Sequence, residues 1–187
     1  MVHQLNVVYL GSYPPRQCGI ATFTSDLAAA CSAVTQTPAR VVAVNNVLEG
    51  YDYSNHVQFA IYRDRLDDYR RAADYVNQCD ADVLCIQHEY GLYGGAAGSF
   101  LTTLLQDVTK PVVTTLHTVL QDPEPEYEAA TRSLTQYSDA LVVLSNVARE
   151  ILISRYGAPK DKIHLIYHGV HEAALEESDR YKGALGL

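Results

Sequence analysis

Four groups of residues in this sequence could do chemistry. His117 stands in TLHT (115–118), an imidazole between hydroxyl side chains. Such a ring can bind a hydroxyl or a phosphate oxygen, or move a proton. It can equally close a strand end by bonding to backbone, and the residue types leave both open. His88 and Glu89, in QHEYGLYGG (87–95), set an imidazole beside a carboxylate. The two could act as an acid/base pair on a loop that Gly91, Gly94, Gly95 and Gly98 make mobile or open to a ligand, or Glu89 could be a solvated loop charge. The stretch VVYLGSYPPRQCGIATFT (7–24) runs from an apolar segment through Gly11, Arg16, Cys18 and Gly19 into a helix-like segment from Ile20. The free amides of a helix's first turn form a site for an anion. Ser145 and His168-Gly169 complete the set, and Tyr13, Tyr90 and Tyr93 could stack on a ligand or simply fill space.

These residues matter only if the elements around them bring them together. Apolar runs of strand length fall at 5–10, 41–45, 57–61, 83–87, 112–116, 141–144 and 163–167. They are apolar throughout rather than alternating, as strands covered on both faces are. Segments of helical period lie between them at 20–34, 66–78, 98–106, 126–137 and 146–156, the last with Ser145 as N-cap and Gly157 as stop. Alternation of this kind predicts an α/β fold, a Rossmann-like, doubly wound and mainly parallel sheet with helices on both faces. In that architecture ligands bind at the carboxyl ends of the strands. Gly11, His88-Glu89, His117, Ser145 and His168 all stand at such ends, and His117 would face the first loop if their two strands were neighbours.

Composition narrows the function classes. The chain has 187 residues, enough for one sizeable core, and 48% of them are apolar. A formal charge of -8 without a Lys/Arg cluster argues against nucleic acid. Arg63, Arg65, Arg70 and Arg71 are interrupted by Asp64, Asp67 and Asp68, the pattern of a solvated mixed face. Cys18, Cys31, Cys79 and Cys85 form no C-x-x-C pair, so no metal site or redox motif is expected. The start, MVHQLNVVYL, lacks a signal-peptide pattern, and the sequence reads as cytoplasmic. Gly11 and Gly19 are eight apart, so there is neither a G-x-G-x-x-G nor a P-loop here, which disfavours a plain dehydrogenase or a P-loop NTPase.

Five stretches in order, SYPPRQCGIATFTSDL (12–27), QHEYGLYGG (87–95), TLHT (115–118), LVVLSNVAREIL (141–152) and IHLIYHGV (163–170), resemble the N-terminal half of group 1 glycosyltransferases, the retaining family 4 enzymes of GT-B architecture. The resemblance implies an acceptor-binding domain over 1–171, with 172–187 as linker and the beginning of a donor-binding C-terminal domain. The implied activity is transfer of a hexose from a nucleotide diphosphate sugar to a saccharide or lipid-linked acceptor in polysaccharide synthesis, without an essential metal or other cofactor. Cys18, Gly19, Ile20 and Ala21 would then present amides to the donor pyrophosphate, and His117, the catalytic position, would contact the transferring sugar or acceptor. Arg16, His88, Glu89, Tyr90 and Gly91 would form the acceptor site, with Ser145, His168 and Gly169 bordering the interdomain cleft. The family often has a Gly-Gly pair where this chain has Cys18-Gly19. The family's Glu-x7-Glu motif has no counterpart in these residues, so the chain is expected to be inactive alone. Lipid acceptors would bring the enzyme to the inner membrane face, although no basic amphipathic helix supports this. The alternatives are a sugar- or nucleotide-binding regulatory module and a nucleotide-sugar epimerase of the same architecture.

Overall fold

The computed structural model describes residues 4–170. Seven strands form one sheet: β1 (Val7–Gly11), β2 (Arg40–Asn45), β3 (Val57–Tyr62), β4 (Val83–His88), β5 (Val112–Leu116), β6 (Ala140–Val143) and β7 (Ile163–Leu165). Their spatial order is β3-β2-β1-β4-β5-β6-β7, and every neighbouring pair is parallel. The order reverses between β1 and β4, so the loops leaving those two strands diverge and open a crevice at their carboxyl ends.

Five helices connect the strands: α1 (Gly19–Thr35), α2 (Leu66–Gln78), α3 (Phe100–Asp107), α4 (Pro125–Tyr137) and α5 (Asn146–Ser154). Successive residues of a strand point to opposite faces, which splits the core in two. Val8, Leu10, Val42 and Val44 pack with Tyr69 and Ala73 of α2, Leu104 of α3, Leu134 of α4 and Leu152 of α5. On the other face Tyr9, Val41 and Ala43 pack against Ala28 and Leu27 of α1. The sheet is wound on both sides as expected, but unequally.

Element boundaries shift where local chemistry intervenes. The segment expected to start a helix at Gly98 is a short 3-10 turn, Ala96–Gly98, because Ala97 and Gly98 have φ of 49° and 79°, and α3 begins two residues later. The expected helix over 146–156 ends at Ser154, and Tyr156 turns into the core to donate its hydroxyl to Leu120 O at 2.7 Å. The mixed charges at the start of α2 are ion-paired, and the buried Asp68 accepts from Tyr62 N at 2.9 Å while lying 3.5 Å from Arg71. The expected boundary at residue 171 and linker over 172–187 lie outside the described residues. Among the described residues no helix is long and apolar enough to cross a membrane.

Candidate functional site

The first side of the crevice is built by the loop from β1 into α1. Pro14-Pro15, joined by a cis peptide bond, and Arg16, which donates to Val44 O at 3.1 Å, fix the loop against the end of β2. Cys18 is the N-cap of α1. Its backbone is extended, its sulfur accepts from Ala21 N at 3.3 Å, and it shares a 3.0 Å hydrogen bond with the buried Ser12 hydroxyl. The amides of Gly19 and Ile20, at the first two positions of the helix, have no intrahelical acceptor, as at every helix start. Gly19 is exposed and Ile20 half-buried. Four of the expected site residues, Cys18, Gly19, Ile20 and Ala21, therefore form one helix N-terminus.

The second side comes from the ends of β4 and β5. Pairing sets Cys85 opposite Tyr9, Gln87 opposite Thr115 and His88 opposite Leu116. Because side chains alternate, Gln87 shares the face of Tyr9 and α1, and His88 belongs to the opposite face. His117 follows two residues after Thr115 and stands on the α1 side. β1 and β5 are not neighbours, since β4 lies between them, yet His117 still meets the first loop's helix. Phe23 of α1 packs edge-on against its ring at 4.7 Å. The same Phe23 packs against His168 at 5.2 Å, so three rings line the crevice.

His117 is held from below. Its backbone N–H donates to His88 O at 3.1 Å, and its Nε2 lies 3.0 Å from Gln87 Oε1. Nδ1 has no hydrogen-bond partner among the described residues and is not one of their buried unpaired atoms, so it keeps accessible surface. Partial burial lowers the pKa of the ring, the Glu89 carboxylate opposes that shift, and His168 adds to it. Glu89 ties the two loops together, accepting from Tyr90 N at 3.0 Å and from the Thr118 hydroxyl at 2.6 Å.

Several expected contacts fall elsewhere. His88 is 1% exposed and lies between Tyr90, edge-on at 5.0 Å, and Tyr93, stacked at 6.1 Å. Burial, aided by His117, pushes its pKa down to about 3, and its Nδ1 is unpaired. It is a neutral ring of the core rather than half of a solvent-facing acid/base pair with Glu89. Tyr13, Tyr90 and Tyr93 are also buried, their hydroxyls turned to His56, Thr131 and Gln87 O. None of the three presents a ring to the crevice. Gly91 is exposed, with its carbonyl accepting from Arg63 at 3.1 Å. The glycines beyond it serve packing rather than mobility. A Cβ at Gly94 would sit 1.9 Å from Arg63 O and 2.8 Å from the Phe100 ring.

Ser145 and His168-Gly169 are exposed, following β6 and β7. Ser145 caps α5 by accepting from Ala148 N at 3.1 Å, and His168 Nδ1 lies 2.7 Å from Gly169 O. Two crevice residues escape a reading by residue type, Gln87 and Phe23. Strand alternation was the available signal, since it pairs Gln87, not His88, with the side on which His117 stands. Among the described residues no three His, Cys, Asp or Glu side chains gather into a group that could hold a metal ion.

Comparison with solved structures agrees with this architecture. A glycosyltransferase from Rickettsia africae ESF-5 superposes with a TM-score of 0.62 at 14% identity, covering 98% of this chain and 49% of that one. Anabaena Alr3699/HepE, solved in complex with UDP and glucose, superposes with a TM-score of 0.63 at 12% identity, covering 97% of this chain and 50% of that one. The chain thus spans about half the length of these neighbours. No curated protein matches it. At such identities the superpositions establish the fold, a Rossmann-like α/β domain. The family is established by the sequence itself: the profile of Glycosyltransferase Family 4 matches residues 21–173, most of the chain, and the protein belongs to that family.

Proposed function

We propose that this chain is the acceptor-side domain of a retaining hexosyltransferase, which moves a hexose from a nucleotide diphosphate sugar to a saccharide or lipid-linked acceptor. The observation that carries the reading is the pairing, across one crevice, of the α1 N-terminus with a histidine whose Nδ1 is open. An amide-lined helix start suits the donor's pyrophosphate, and an adjacent imidazole suits a hydroxyl of the sugar or acceptor. Family membership and the UDP- and glucose-bound HepE structure support a nucleotide-sugar substrate.

In this reading Cys18 orders the first turn of α1, so that the Gly19 and Ile20 amides stabilise charge building on the leaving diphosphate. His117 fixes the reacting sugar, and Glu89, held by Thr118, shapes the acceptor side with Arg16 and Gly91. The acceptor's proton passes to the leaving phosphate on the same face of the sugar, so no side chain need serve as base and no metal is required. A second domain contributes most of the donor contacts, so this chain is inactive alone. We assign the reaction to the cytoplasm, at the inner membrane face where the acceptor is a lipid.

The test uses the full-length enzyme, a panel of labelled nucleotide diphosphate hexoses and candidate acceptors. The reading expects label in a glycoside whose anomeric configuration matches the donor's. Isomerised sugar nucleotide would point to an epimerase, and binding without consumption to a regulatory module. Either result would overturn the proposal.

A further inference from the structure

The Gln87 side chain is completely buried at the end of β4, and its carboxamide ends against the imidazole of His117. A fully buried amide is costly unless its polar atoms are matched. Here Oε1 faces His117 Nε2 at 3.0 Å, and Nε2 faces the Cys85 sulfur at 3.5 Å, a weak acceptor. Space for this arrangement comes from Gly11 on the neighbouring strand. A Cβ there would lie 3.2 Å from Gln87 Cβ and 3.0 Å from Thr24 Oγ1 of α1, so a larger residue would wedge Gln87 away from α1. The backbone carbonyl of Gln87 is bound as well, accepting from the buried Tyr93 hydroxyl at 2.8 Å. The residue is thus fixed at both ends.

We infer that Gln87 is a positioning residue that holds His117 in the tautomer protonated at Nε2, which leaves Nδ1 as a hydrogen-bond acceptor aimed at a hydroxyl group in the crevice. A carbonyl oxygen accepts and cannot donate, so the ring nitrogen facing it must carry the proton. The other nitrogen of a neutral imidazole is then an acceptor, and it is the one that keeps accessible surface. Phe23, edge-on at 4.7 Å, restricts rotation of the ring. The ligand chemistry this selects is a hydroxyl donor, not a carbonyl or an unprotonated phosphate oxygen. The identity of that hydroxyl, on sugar or acceptor, rests on the transferase reading above, whereas the tautomer does not.

The tautomer is read directly from the 15N shifts of the His117 ring in this chain, at a pH where the ring is neutral. The wild type is expected to show a protonated Nε2 and a bare Nδ1. Gln87→Glu keeps an oxygen acceptor and should preserve that tautomer. Gln87→Met keeps the length without the acceptor and should lose it, and in the full-length enzyme kcat should fall about tenfold with little change in donor KM, as when an orienting group is removed. A wild-type ring protonated at Nδ1, or a tautomer unmoved in Gln87→Met, overturns the inference. If Gln87→Met fails to fold, the wild-type and Gln87→Glu spectra still decide. Should the tautomer behave as stated while no nucleotide sugar is consumed by the wild-type enzyme, the positioning role stands and the transferase reading fails.

Discussion

The helix N-cap at Cys18 carries a sulfur, which gives the cap an acceptor that a glycine would lack. It accepts from Ala21 N and touches the Ser12 hydroxyl, so it orders the first turn of α1 before any ligand arrives. Cys18→Ser should retain the cap with a better acceptor. Cys18→Ala should lose roughly 0.5–1 kcal/mol of stability, the low end of the usual capping range because sulfur is a weak acceptor. Denaturant midpoints of the two variants give the comparison. His88 shows the opposite case, a residue whose type suggests chemistry and whose surroundings forbid it. The unfolded chain protonates this ring near the ordinary histidine value, about 6.5, whereas the folded protein resists until about 3. Between those values the unfolded state binds more protons, so stability falls as the pH drops through that window and is fully present above it. Replacing the ring by an uncharged aromatic, His88→Phe, should flatten that part of the curve of urea midpoint against pH. An unchanged slope would mean that His88 is not held neutral.

At the scale of elements, the loop between β4 and α3 shows why glycine content misleads. Four glycines suggest mobility, yet the Gly94 N–H donates to the Tyr69 hydroxyl oxygen at 2.8 Å, and Gly94 O accepts from Phe100 N at 3.0 Å. The loop lies so close to Arg63 that no side chain fits. Gly94→Ala should therefore cost about 3 kcal/mol, at the upper end of single substitutions, and lower Tm by roughly 6–12 °C. Gly91→Ala has open space around its Cβ position and a φ that any residue can adopt, and should be close to neutral. Thermal unfolding of the two distinguishes a packed loop from a mobile one. The central strands were legible in the sequence because both faces of the sheet are covered there, which makes β1 and β2 nearly uniformly apolar and sets them apart from the helical segments, whereas burial alternates along the edge strand β3. The boundaries of α3 and α5 were not, because positive φ at Ala97 and the inward turn of Tyr156 are set by packing. The end of β4 was misread for a similar reason. A list of residue types ranks His88 above Gln87, but their places on a parallel strand put one in the core and the other under His117.

For the whole molecule, the order β3-β2-β1-β4-β5-β6-β7 fixes where function can sit. The reversal between β1 and β4 opens a crevice beside the α1 N-terminus, and the neighbouring β5 delivers His117 to its far side. The net charge of -8 makes a helix N-terminus and its amides, rather than a basic patch, the feature suited to a diphosphate. The chain covers about half of each solved neighbour. The most direct measurement is the transfer rate of the full-length enzyme with His117→Ala, alongside its unfolding midpoint. A fall of about 100-fold or more in kcat/KM is expected, the scale of losing a positioned polar contact in the transition state, with a cooperative unfolding transition retained and a midpoint lowered only by the loss of the partner of Gln87 Oε1. A rate equal to wild type, in a variant shown to be folded, would contradict it.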